Sequence, residues 1–207
     1  YQFNNKSLQL ALKILKNNSL AGLPTETVYG LAGNAYSHTA VNKIYKLKKR
    51  PKNNPLIIHY FSLKEAKKDI YTNSNFKKLY KKFCPGPLTF IVEKRKNSRI
   101  EKKATANLNS VAIRFPRHSV TRKLLKKLPF PLAMPSANKS KSISPVTALD
   151  VAEELGASLK IILNGGNAKI GIESTVIDIR KKPIILRPGF ISSKKLSFIL
   201  KVATISK

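Results

Sequence analysis

The sequence predicts an α/β protein, an open twisted sheet of mixed strand direction flanked by helices, and three observations lead there. Segments with apolar residues at helical spacing alternate with short apolar runs of strand length. Several strand ends run into hydroxyl, amide or arginine groups, and open α/β sheets bind ligands at such ends. No repeat, low-complexity tract or linker interrupts the 207 residues, so residues 1–207 are expected to form one domain with a sizeable core.

Leu8, Ala11, Leu12 and Leu15 give a helix over Ser7 to Asn17, and Asn17-Asn18 ends it before a strand from Ser19 to Leu23. Gly22 to Ala35 reads as that strand opening into a turn. Thr25, Glu26, Thr27 and Tyr29 crowd polar groups behind Pro24, and Gly30, Ala32 and Gly33 form a loose run that packs no core well. The stretch has two readings, a ligand-facing loop or a polar connection. Thr39 can cap a second helix, with Ala40, Ile44 and Leu47 as its stripe, which stops at Lys48-Lys49-Arg50-Pro51 because proline bars continuation. Asn53-Asn54-Pro55 turns the chain into a strand from Leu56 to Tyr60, with His59 near its end.

Two lysine-rich helices follow, around Leu63 to Asp69 and Asn75 to Phe83, broken by the rigid turn Cys84-Pro85-Gly86-Pro87. Leu88 to Lys94 and Ser110 to Phe115 are strands, the second with Arg114 at its close. Val120, Leu124, Leu125 and Leu128 mark a helix, and Pro131 to Pro135 is a brief strand that delivers Ser136-Ala137-Asn138. Asn138 to Pro145 is a surface loop by composition. Ala148, Val151, Ala152 and Leu155 give another helix, followed by a strand from Lys160 to Leu163 and a turn at Asn164-Gly165-Gly166. Ser174 to Ile179 and Pro183 to Leu186 are strands, with Arg187-Pro188-Gly189 closing the second, and a last helix spans about Ser193 to Lys201.

Lys and Arg total 40 against 10 Asp and Glu, a net charge of +30 that would attract a polyanion such as RNA or a nucleotide triphosphate. The excess is mostly lysine spread along the chain, which a biased genome would also produce. The arginines say more, because their planar forks suit phosphate and carboxylate. Arg50, Arg114 and Arg187 each sit beside a proline or at a strand end. The single cysteine, Cys84, excludes an internal disulfide and a multi-cysteine metal site. The N-terminal segment reads as an amphipathic helix and not as a signal peptide, and no run approaches membrane-spanning length, so a cytoplasmic protein without a membrane partner is expected.

Thr25 to Tyr29, Lys48 to Asn54, Ser110 to Arg114, Ser136 to Asn138, Glu173 to Thr175 and Arg187 share one design, polar donors at strand ends, which suggests an anion pocket. The standard fingerprints for phosphate loops, dinucleotides, metalloproteases, paired cysteines and serine-hydrolase elbows are absent.

PTETVYGLAGNA, the K-x-R-P at Lys48 to Pro51 followed by NNPLIIH, PGPLTF at Pro85 to Phe90, SVAIRFP, PSAN at Pro135 to Asn138, GIESTVID at Gly171 to Asp178 and LRPG at Leu186 to Gly189 resemble, in order and spacing, the YrdC/TsaC-like threonylcarbamoyl-AMP synthases. The resemblance covers nearly the whole chain. It implies an open twisted sheet with a basic concave cavity, in a short single-domain form. It also implies an enzyme, a nucleotidyltransferase that joins L-threonine, bicarbonate and ATP into threonylcarbamoyl-adenylate and pyrophosphate. That product feeds a separate transferase machinery acting on the tRNA adenosine next to the anticodon, and the basic surface adds an expected tRNA contact. Carried over by position, the threonine pocket falls on Thr27, His59, Arg114, Ser174 and the backbone near Met134. Nucleotide contacts fall on Arg50, Asn54, Ser110, Ser136, Asn138, Ser144 and Arg187, with Lys48 and Arg50 offsetting charge as pyrophosphate leaves. His59 is assigned to binding and not to proton transfer. No protein metal site is implied, and Mg2+ arrives with the ATP phosphates. The chain departs from the family pattern at Lys141 and Asn107, where glycine is usual, and asparagine tolerates the left-handed backbone.

Two other readings compete. One is a non-catalytic double-stranded RNA or tRNA binder, which the lack of stacking aromatics among the lysines disfavours. The other is carbamoyl transfer as in larger hydrogenase-maturation proteins, whose additional segments do not occur here.

Overall fold

The computed structural model describes residues 1–140, 142–201 and 205–206. In chain order the strands are β1 (Ala21–Leu23), β2 (Gly30–Asn34), β3 (Ile57–His59), β4 (Leu88–Glu93), β5 (Ser110–Arg114), β6 (Leu132–Ala133), β7 (Thr175–Asp178), β8 (Ile184–Arg187) and β9 (Ile205–Ser206). They form one mixed sheet in the order β1-β2-β6-β3-β5-β4-β7-β8-β9. The helices are α1 (Asn5–Lys16), α2 (His38–Lys48), α3 (Leu63–Ala66), α4 (Ser74–Phe83), α5 (Ser119–Lys127), α6 (Ala148–Leu155) and α7 (Ser193–Leu200). Among the described residues no helix is long and apolar enough to cross a membrane.

Most elements fall where the residue pattern places them. The largest difference is in Gly22 to Ala35, where Gly30–Asn34 forms a strand, paired with β1 on one side and β6 on the other. The expectation of a loose, poorly packed run is therefore wrong. Small residues are present because neighbouring side chains crowd the strand: a Cβ on Gly30 would lie 2.4 Å from Met134 Cγ. The β1–β2 hairpin folds its tip, residues 24–29, inward, and every residue of it is buried. Helix α2 is capped by Ser37, whose hydroxyl accepts from the Ala40 amide at 3.2 Å, and not by Thr39. Lys160 to Leu163 makes only an isolated bridge beside β1, through Gly22 and Ile162. Asn107 takes the left-handed backbone that suits asparagine, with φ 60°.

Register decides which side chains share a face. Ile58, Val111, Ile113, Phe90, Val92, Ile177 and Ile185 point to one side and are buried in a core shared with Phe76, Leu79 and Phe83 of α4 and Leu196 and Leu200 of α7. On the opposite face, α1 and α5 pack Leu8, Leu12, Leu15, Leu124 and Leu125 against Ala32, Leu132 and Met134. That helical layer serves the β1-β2-β6 end. Beyond it Ile57, Ile91, Ala112 and Val176 are only half-buried, while Thr89, His59 and Arg114 on the same face are buried, so the β3-β5-β4-β7 part of the sheet is only partly covered on that side.

Candidate functional site

A solvent-open cleft of about 490 Å³ lies where that partly covered face meets the helical layer. Parallel pairing sets His59 level with Arg114, and antiparallel pairing sets Thr89 level with Arg114, so their side chains rise from the same face. The cleft is lined by Arg50, His59, Arg114, Met134, Ser136, Ser174 and Arg187, all expected from the sequence, and by Thr25, Val28, Tyr29, Gly30, Ile57, Pro135 and Glu173.

Arg114 is buried and donates from Nη2 to Glu26 Oε1 at 2.8 Å. The other oxygen of Glu26 accepts the Arg117 amide at 2.9 Å. Burial pushes the Glu26 carboxyl upward, yet the charge and hydrogen bond of Arg114 outweigh it and leave the net shift downward. Arg114 Nε is buried with no partner among the described residues, a donor left for a ligand oxygen. His59 Nδ1 lies 3.2 Å from the Ile57 carbonyl. A carbonyl only accepts, so Nδ1 carries the proton and Nε2 is an acceptor. Burial first, then the Arg114 charge, hold the His59 pKa well below the ordinary histidine value, so the ring is neutral.

Arg187 donates to the Ser174 carbonyl from Nη2 at 2.9 Å and Nε at 3.2 Å, and to Ser174 Oγ at 3.1 Å, while Nη1 pairs with Glu173. The LRPG turn fits because Gly189 sits on this backbone, where a Cβ would be 2.5 Å from both the Glu173 carbonyl and the Thr175 nitrogen. Arg50 is braced by Asn54, through the carbonyl at 3.0 Å and Oδ1 at 2.6 Å, and by the Pro55 carbonyl at 2.9 Å. Of the three guanidinium groups in the cleft, two are thus ion-paired, to Glu26 and Glu173, so the cleft is less cationic than the chain's charge implies.

The remaining expected residues stand one contact behind the lining. Thr27 Oγ1 lies 3.0 Å from Thr25 Oγ1, which gives its own proton to the Val28 carbonyl at 2.6 Å, so Thr27 is the donor of that pair. Lys48 departs most from its expected role. It is 1% exposed, and its ammonium is consumed by the Ser136 carbonyl at 2.6 Å, the Asn138 carbonyl, and Asn138 Oδ1 at 3.1 Å. It does not face the cleft, and a direct contact with a triphosphate is not its geometry. Burial, aided by the Arg50 charge, lowers its pKa to about 8. Asn138 is buried too and spans to the Ser142 carbonyl at 2.5 Å, so Lys48 and Asn138 together fix the loop that carries Ser136. Ser144 reaches the cleft only through Glu173, donating to it at 3.0 Å. Lys141 lies outside the described residues. Ser110 is buried at the start of β5, about 13 Å from Arg114 along the strand. It is not among the lining residues, but the parallel β3–β5 register puts its end of the strand on the side of Asn54 and Pro55, which brace Arg50.

Sequence reasoning missed Glu26 and Glu173 as site residues. Both stand inside motifs already singled out, and the signal was available: a lone carboxylate among hydroxyls in so basic a chain needs a cationic partner.

A family model for Sua5/YciO/YrdC proteins, described as telomere recombination, matches residues 13–189. The chain is similar to the threonylcarbamoyl-AMP synthase of Pyrococcus abyssi, 38% identical over 197 residues that make up 93% of this chain and 57% of the relative. It is also similar to the Bacillus subtilis protein of that name, 38% identical over 200 residues, 95% of this chain and 57% of the relative. The crystal structure of P. abyssi Sua5 complexed with L-threonine superposes with a TM-score of 0.93 at 35% identity, covering 99% of this chain and 61% of that one. The chain spans little more than half the length of these relatives.

Proposed function

The chain belongs to the Sua5/YciO/YrdC family, and from that premise we propose that it is an L-threonylcarbamoyladenylate synthase, making threonylcarbamoyl-AMP and pyrophosphate from L-threonine, bicarbonate and ATP. The observation that supports this best is the convergence, in one cleft, of an unpartnered Arg114 Nε, a neutral His59 acceptor, and two further guanidinium groups on Arg50 and Arg187. An amino acid offers a carboxylate to the first and hydroxyl or amine hydrogens to the second. A polyphosphate suits the other two.

In this reading Arg114 and His59 hold threonine at the C-terminal ends of β5 and β3, and Arg50, Ser136 and Arg187 hold the nucleotide. Bicarbonate loses hydroxide to give carbon dioxide, the threonine amine attacks it to form a carbamate, and the proton the amine loses joins that hydroxide as water. A carbamate oxygen then attacks the α-phosphorus, forming the new O–P bond as the bond to the β-phosphate oxygen breaks and pyrophosphate leaves. Placement and charge supply the rate, since phosphoryl chemistry needs little else from a protein. Lys48 acts by holding the Ser136 loop. Mg2+ enters as part of the nucleotide substrate, held by its phosphates. The adenylate then passes to a tRNA threonylcarbamoyl-transferase, and contact with tRNA through the lysine-rich surface belongs to the same proposal, as does a cytoplasmic setting.

The test is to incubate the purified protein with ATP, bicarbonate and L-threonine, and in parallel with L-serine. A nucleotide adduct and pyrophosphate release that depend on threonine support the proposal. RNA binding that collapses with salt, together with no ATP turnover, would favour the RNA-binding reading instead.

A further inference from the structure

Glu173 is the carboxylate among the residues lining the cleft, and both of its oxygens are occupied. One accepts the Ser144 hydroxyl at 3.0 Å and the other pairs with Arg187 Nη1, with the two charged side chains 32% and 36% exposed. Arg187 is independently oriented by the Ser174 carbonyl. Its free edge therefore has a fixed direction, and a carboxylate stands in front of it. Arg50, on the same wall, also feels the Glu173 charge. Arg187 is one of the groups that the functional reading gives to the nucleotide, and Ser144 is one that the family resemblance gives to it. They already converge on an anionic oxygen pair, with the chain's own carboxylate as occupant.

We propose that Glu173 is an internal competitor for the phosphate oxygens of the nucleotide. Its carboxylate holds Ser144 and Arg187 in the free protein, and an incoming polyphosphate must displace it, so Glu173 sets the charge a ligand needs to occupy this end of the cleft. This rests on the nucleotide reading given above. The exchange is a side-chain rotation and not a backbone shift, because Gly189 is packed against the Glu173 carbonyl and pins the main chain there. A role as cation ligand fits less well: both oxygens already meet hydrogen-bond donors, and no second acidic side chain lines the cleft. Partial exposure keeps the Glu173–Arg187 pair weak enough for a multiply charged ligand to replace. A neutral nucleoside has nothing with which to replace it.

The experiment is calorimetric titration of the wild type and Glu173→Gln with ATP and with adenosine, at low and high salt. Glu173→Gln should bind ATP roughly three- to tenfold more tightly at low salt, with the gain shrinking as salt rises, and should bind adenosine as the wild type does. Glu173→Ala, which also removes the oxygen held by Ser144, should change ATP affinity in the same direction. Unchanged or weaker ATP binding by both variants, beside a wild type that binds ATP, overturns the assignment of Glu173 alone. An equal gain for adenosine also overturns it, since that would report a reshaped pocket and not a removed charge. A wild type that binds no ATP overturns the nucleotide reading itself.

Discussion

Glu26 and Arg114, 88 positions apart in the chain, meet at 2.8 Å with side-chain exposures of only 10% and 5%. The pair fastens the hairpin tip to the end of β5 and orients the guanidinium whose buried Nε has no partner among the described residues. Removing either partner leaves the other charged in a poorly solvated place, which typically costs about 3–5 kcal/mol.

Glu26→Gln should therefore lower stability by about 3 kcal/mol and weaken threonine binding, leaving adenosine binding unchanged. The sign with pH is fixed by the depressed carboxyl: the stabilisation is fully present above the ordinary glutamate pKa of about 4.3 and is lost as pH falls through the lower folded value. Chemical denaturation of wild type and variant between about pH 3 and 7 checks this. The stability gap should close at the acid end.

Lys48→Met should act through the loop. Three buried acceptors lose their donor, so a loss of about 1–3 kcal/mol is expected together with a fall in pyrophosphate release. Arg50→Ala, whose partners lie near the surface, should raise the KM for ATP with little change in melting temperature. Measuring KM and Tm for both variants separates an anchoring role from a ligand contact. Equal KM effects at unchanged Tm would contradict the division.

Gly30→Ala should cost about 1–3 kcal/mol, because the added methyl group meets the Met134 side chain. Met134→Ala in the same chain should restore part of that loss. A double-mutant cycle reads the coupling, and strict additivity would show that the two residues do not compete for space.

His59 is neutral throughout, so threonine binding should show no histidine ionisation between about pH 6 and 8. Titration calorimetry across that range checks it. A step near pH 6.5 that His59→Asn removes would reassign the residue as a proton carrier.

How much of this was legible beforehand depends on the residue. Strands such as Ile57–His59 and Ser110–Arg114 announce themselves by apolar runs, and a proline closes α2 as expected. Gly30–Asn34 was illegible as a strand because its small residues answer to Met134 and Leu20 packed across them, which is tertiary information. Arginines at strand ends pointed to the cleft by charge and position alone. Lys48 misled because four methylenes can carry a cation into the protein as readily as out of it, and only the buried carbonyls of Ser136 and Asn138 decide which.

The uneven covering of the central strands has a consequence for how freely the chain can vary. At positions 58, 90 and 113 a polar replacement would be forced into packed hydrocarbon, whereas at 57, 91 and 112 it would meet water. A saturation library over β3, β4 and β5 scored for folded yield should thus come out intolerant at 58, 90, 92, 111 and 113 and permissive at 57, 91 and 112, with buried Thr89, His59 and Arg114 interrupting the permissive stripe. Loss of function without loss of yield would gather on the permissive stripe, beside the ligand.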